Sequence, residues 1–216
     1  MDATAHDRPK GWHIDYINPT RITIPQTNLK VGYFINDHYL ISFGIDHMKY
    51  VMDRNQYRTV NGYIDLPLNE TGSQYNGIYN NVNYYVSEDF LEFEHTNGLN
   101  YAYFEFARYD DVSSLFHIPN IDKLQINLTE GIGNPKTNTT LLNKERFDEF
   151  HLSGYGFSFN AGLNLTFFKH FFIQGDLRGG FIEMNDIKTT SNPTEKASQH
   201  FWFLQRVISV GSIFHI

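Results

Sequence analysis

Between Gly154 and Phe168 the chain reads GYGFSFNAGLNLTFF. Apolar side chains take every second place: Tyr155, Phe157, Phe159, Ala161, Leu163, Leu165 and Phe167. Between them stand Gly154, Gly156, Ser158, Asn160, Gly162, Asn164 and Thr166. A period of two marks a β-strand whose two faces meet different surroundings. The apolar face could serve a soluble core or a lipid surface, so the other face decides. A soluble protein usually gives its wet face Lys, Glu, Asp and Arg; this face carries none of them. Small uncharged residues suit a narrow enclosed space whose walls approach closely. The lumen of a membrane β-barrel, with strands apolar-out and polar-in, is such a space.

The same alternation recurs along the chain. Leu29, Val31, Tyr33 and Ile35 oppose Asn28, Lys30 and Gly32, and after Asn36-Asp37-His38 the residues Ile41, Phe43 and Ile45 oppose Ser42, Gly44 and Asp46. This spacing predicts a hairpin with a tight connection. Ala102, Phe104 and Phe106 are expected outward, with Tyr101, Tyr103 and Glu105 inward. Leu124, Ile126 and Leu128 stand against Gln125, Asn127 and Thr129, and Ile173, Leu177 and Phe181 against Gln174, Asp176 and Arg178. The final run places Ile208, Val210, Phe214 and Ile216 on one side. Seven strands are thus legible in one domain over residues 1–216.

Connections alternate in length. Those at Asp37 and Lys169 are short and the one through FHIPNID is modest. Those over 53–97, 135–150 and 188–200 are long and rich in Asn, Thr, Ser and Gly. Short turns on one side and long loops on the other mark an outer-membrane barrel, the short side being periplasmic. The 53–97 connection is then extracellular, with QYRTVNGYIDLP and YYVSEDFLEFEH as strand extensions beyond the membrane. By the same count the first and last strands both descend. An even antiparallel barrel therefore needs another ascending strand, expected from sequence upstream.

Composition narrows the function classes. Charged residues make up 19% of the chain and aromatic residues 16%, with 19 Phe and 14 Tyr; that aromatic excess fits strands and interfacial girdles. A net charge of −7 without a basic stripe argues against nucleic-acid binding. With no cysteine, disulfides, thiolate metal sites and a cysteine nucleophile are excluded. MDATAHDRPKGW is too polar for an export signal.

Six segments occur in order: HDRP at 6–9, DHMKYV at 46–51, EHTNGLNY at 94–101, GIGNPKT at 131–137, HLSGYG at 151–156 and KASQHFWFLQ at 196–205. Together they resemble a group of outer-membrane β-barrel proteins of Bacteroidota. The resemblance implies an outer-membrane location, contact with lipid and lipopolysaccharide, and an export signal and further strands upstream. It brings no catalytic residues.

Candidate chemistry is sparse. Lys30, Asp46, Glu105, Asn160, Asn164, Asp176 and Arg178 are expected inward, where they either line a selective pore or fill a small barrel as a paired polar network. The filling is favoured, because narrow barrels are occupied by their own side chains. Asp46 and His47 are adjacent on a strand and face opposite ways, so they do not converge. His151 and Ser153 share a face, with Glu183 near the same level; lipid A deacylases of the outer membrane use a His-x-Ser pair and a glutamate. In such a site the imidazole takes the serine proton and the carboxylate orients the imidazole. Three residues of common types make this a weak signal beside a structural role. GIG at 131–133 lacks the spacing of a phosphate loop. No metal site or cofactor is expected.

The sequence therefore reads as an all-β, antiparallel transmembrane barrel of the outer membrane. Its leading function is structural or accessory, with loops that meet a protein partner or ligand. A small channel or transporter is the second reading, and an esterase at His151 and Ser153 the third. A soluble barrel with its apolar faces turned inward is the alternative fold.

Overall fold

The computed structural model describes residues 1, 3–7, 27–48, 50–93, 99–116, 118–134, 139–142, 152–188 and 196–214. Its strands in chain order are β1 (Ala5–Asp7), β2 (Thr27–Phe34), β3 (Tyr39–Met48), β4 (Tyr50–Met52), β5 (Gln56–Ile64), β6 (Gly77–Val86) and β7 (Leu91–Phe93). They continue with β8 (Leu99–Asp111), β9 (Lys123–Asn134), β10 (Thr139–Leu141), β11 (Gly154–Phe167), β12 (Phe171–Lys188) and β13 (Lys196–Ser212). Seven of them form one antiparallel sheet in the order β13-β12-β11-β9-β8-β3-β2, curled into a half-barrel. These are the seven strands that the alternation marks out. β2 and β13 stand at its two edges.

The two faces differ as the period of two requires. On the convex face Leu29, Val31, Phe104, Leu128, Phe159, Leu163, Leu177 and Ile208 are exposed. On the concave face Ser42, Asp46, Glu105, Asn127, Asn160, Asn164 and Arg178 are buried. Phe159 is 57% exposed and Asn160, its neighbour, 4%. A soluble barrel with its apolar faces inward needs the reverse, so that alternative is overturned. Leu124 breaks the outward pattern: it is buried, its N–H bonded to Ser113 Oγ at 2.8 Å under the turn that follows β8.

Inward glycines are small because neighbouring side chains lie across them. The Tyr103 ring covers Gly44, leaving no room there for a methyl group. A methyl on Gly131 would sit 2.9 Å from Ser158 Oγ and 3.0 Å from Glu105 Cγ. In the quoted stretch a methyl on Gly154 or Gly156 would meet the β12 main chain, and one on Gly162 would meet the side chains of Asp176 and Asn127.

The short connections are built by local chemistry. Asn36 Oδ1 accepts from the N–H groups of His38 and Tyr39, both at 2.9 Å, which closes the β2–β3 turn in the manner of asparagine in turns. At the β11–β12 turn Phe168 and Lys169 adopt φ of 50° and 59°, and His170 N–H bonds Phe167 C=O at 3.2 Å. Two successive positive φ values match the right-handed twist of a hairpin. The turn is tied to the preceding link by Lys169 N–H donating to Asp122 Oδ2 at 2.8 Å.

At the opposite end, three two-stranded pairs (β1–β4, β5–β6 and β7–β10) accompany the long connections. Met52, Val60, Val86, Phe90 and Leu142 form an apolar cluster there. The 53–97 connection is therefore largely structured. The connection expected over 188–200 is shorter than its composition implied, since β12 runs to Lys188 and β13 begins at Lys196. Main-chain pairing extends that hairpin past polar residues such as Lys188, Lys196 and Gln199, with a register irregularity between Met184 and Ile187.

Candidate functional site

The concave face gathers all seven residues expected inward. Glu105 on β8 is the hub. Its Oε1 accepts from Arg178 Nη2 at 2.8 Å and Asn160 Nδ2 at 2.9 Å, and its Oε2 from Lys30 Nζ at 3.1 Å. Arg178 also donates through Nε to Asn160 Oδ1 at 2.9 Å and through Nη1 to Asp46. Its guanidinium carbon lies 4.6 Å from the centre of the Tyr103 ring, whose hydroxyl donates to Asp46 Oδ1 at 3.1 Å. Two cations and two carboxylates therefore balance, with Arg178 at 3% and Glu105 at 2% exposure. Balance matters here, because an unpaired charge buried this deeply costs several kcal/mol.

A second network lies toward the short turns. Asp176 accepts from Gln174 Nε2 at 2.8 and 3.0 Å and from Asn127 Nδ2 at 2.9 Å. Gln174 Oε1 accepts from Asn164 Nδ2 and from Tyr109 Oη, both at 3.0 Å. Thr166 Oγ1 completes the chain by donating to Asn164 Oδ1 at 3.0 Å. Toward the long connections the filling turns apolar, as Tyr101, Tyr103, Ile182, Met184 and Ile187 cluster with Ala197, Phe201 and Phe203.

Sequence patterning finds the charges but misses several partners. Parity places Tyr103 and Gln174 inward without saying what they bond, and Tyr109 shares that parity without having been singled out. Ile182 and Met184 share the parity of Gln174, Asp176 and Arg178, a signal left unused because their side chains are apolar, whereas Ile187 lies past the register irregularity and carried none.

The proposed serine site is not assembled among the described residues. His151 lies outside them. Ser153 is buried, its C=O bonded to Asp186 N–H at 3.0 Å. The Glu183 carboxylate accepts from Tyr155 Oη at 2.9 Å. His47 Nδ1 lies 2.9 Å from Asn100 Oδ1, away from the buried Asp46, as adjacent strand positions require. No group of three metal-ligating side chains occurs among the described residues.

The convex face carries an aromatic cluster near the long-connection end. Phe181 stands 5.0 Å from Trp202, 6.0 Å from Phe157 and 6.1 Å from His200, centre to centre. Trp202 is 74% exposed. Comparison with known proteins gives no matching family model, no matching curated protein and no matching solved structure.

Proposed function

We propose that this chain is a non-catalytic outer-membrane β-barrel protein, structural or accessory, that meets a ligand or partner through its long outer connections. The observation that carries this reading is the inverted burial of the half-barrel: charges and amides inside, Leu, Ile, Val and Phe outside. Water would penalise that convex face by roughly 25 cal/mol per Å² of apolar surface, whereas lipid would not. The aromatic cluster around Trp202 supports the same reading, because such girdles stand at the membrane interface.

Filling of the concave face favours a closed body over a channel. Arg178, Tyr103 and Glu105 bond across the space that a pore would use. The test is expression with an export signal, followed by membrane fractionation and planar-bilayer recording. Detergent-dependent extraction from the outer membrane without stepwise conductance supports the reading. Recovery of folded protein in the aqueous fraction contradicts its location, and discrete conductance contradicts its closed interior.

A further inference from the structure

The β5–β6 hairpin stands apart from the inward network and has an unusual face. Tyr57, Thr59 and Asn61 on β5 lie with Asn81, Asn83 and Tyr85 on β6, and all six are exposed. Register pairs Tyr57 with Tyr85 and Thr59 with Asn83. The two ring centres lie 5.1 Å apart with the rings tilted by 55°. A bulge follows, where Asn81 adopts φ of 51°, a conformation asparagine tolerates better than most residues. Beside the rings, an open groove of about 410 Å³ is lined by Met1, Tyr57, Arg58, Thr59, Asn61, Asn81 and Asn83.

The face has no carboxylate or lysine, although the chain carries a net charge of −7. The Arg58 guanidinium, which also lines the groove, is held by donating to Thr4 Oγ1 at 2.7 Å and to Tyr57 C=O at 3.1 Å. Asn61, Asn81 and Asn83 keep their amides for a ligand, each offering two donors and an acceptor. Tyrosine supplies a rigid ring with a polar tip. A ligand matched to this surface is uncharged, rich in vicinal hydroxyls and equipped with an apolar C–H face. The geometry points to a neutral oligosaccharide, seated with one sugar ring against Tyr57 and Tyr85 and its hydroxyls bridged by the three asparagine amides. This site rests on the hairpin and Met1 and does not depend on membrane residence.

The test is titration of the full chain in detergent with neutral hexasaccharides of glucose, mannose, xylose and N-acetylglucosamine, and with hexagalacturonate as an acidic comparator. At least one neutral sugar is expected to bind. Tyr57→Ala should weaken it about tenfold, which corresponds to about 1.4 kcal/mol, and Asn83→Ala should weaken it as well. Tyr63→Ala, exposed but outside the groove, should leave binding unchanged. No binding by any neutral sugar, preference for the acidic one, or binding that survives Tyr57→Ala combined with Asn83→Ala overturns the site. A high-mannose glycoprotein that binds equally well after enzymatic removal of its glycans also overturns it, in favour of a polypeptide. A failed titration leaves the barrel reading as it was.

Discussion

Arg178 on β12 donates to Asp46 on β3, although 132 positions separate them in the chain and β8, β9 and β11 lie between their strands in the sheet. In a flat sheet four strand spacings amount to roughly 19 Å, far beyond the reach of two side chains. The bond is therefore a chord across a curled sheet. Tyr109 on β8 and Gln174 on β12 make a second chord at 3.0 Å. The curl brings the polar faces together, and those faces in turn hold the curl.

Breaking the first chord on one side should be severe. Arg178→Met leaves Asp46 and Glu105 buried with Lys30 as the remaining cation, and the expected loss is about 3–5 kcal/mol. Arg178→Met combined with Asp46→Leu should lose less than Arg178→Met alone, because the orphaned carboxylate is gone. Denaturant unfolding of the refolded protein checks the order, and a double variant weaker than the single one contradicts it.

Leu163 and Asn164 separate the two faces in one dipeptide. Leu163 is 54% exposed and Asn164 buried. In a bilayer Leu163→Arg should cost about 2–4 kcal/mol near the midplane and impair assembly more than Asn164→Ala, which removes contacts to Gln174 and Thr166. Folding yield in lipid vesicles measures both. An arginine variant that assembles normally while the alanine variant fails would reverse the assignment of faces.

The β11–β12 turn holds strain that can be relieved. A bulky residue such as Phe168 at φ of 50° is unfavourable by about 1–3 kcal/mol. Phe168→Asn with Lys169→Gly, the preferred pair for this turn, should raise stability by about 1 kcal/mol while keeping the main-chain bond to Asp122. A lower unfolding midpoint would show that the exposed Phe168 ring contributes more than the backbone loses.

Edge geometry gives a further expectation. Six antiparallel pairings separate β2 from β13, so the two edges run in the same direction. Antiparallel closure then needs an odd number of strands between them, from whatever source. Cysteines placed at Val31 and Ile208 should not form a disulfide, which requires Cα atoms within about 7 Å. Efficient oxidation of that pair would show direct contact between the edges.

Much of this was readable from alternation, because a strand with one face enclosed writes its surroundings at every second residue. Asn160 and Asn164 were assigned inward that way, and so were Glu105 and Arg178. The partners were harder, since no local pattern says that Tyr103 will lie over Gly44 or that Asn160 will bridge Arg178 and Glu105. Those contacts depend on curvature and stagger. Ile182 and Met184 also escaped, although they share the parity of Gln174 and Arg178, and Ile187 escaped because the irregularity between Met184 and Ile187 shifts its register. Composition overstated the loop over 188–200, where main-chain pairing outweighs the polar side chains. The candidate serine site rests on three residues of common types, and His151 lies outside the described residues.

Lipid contact at the convex face is tested most directly through Trp202, which stands exposed beside Phe157 and Phe181. With Trp12→Phe, Trp202 becomes the only tryptophan of a chain that has two. The protein is folded into vesicles whose lipids carry bromine at defined depths along the acyl chain. Insertion predicts strong quenching by bromines near the headgroup end of the chain and weak quenching by aqueous acrylamide. Emission untouched by every brominated lipid yet fully quenched by acrylamide would place Trp202 in water and contradict a membrane-spanning barrel.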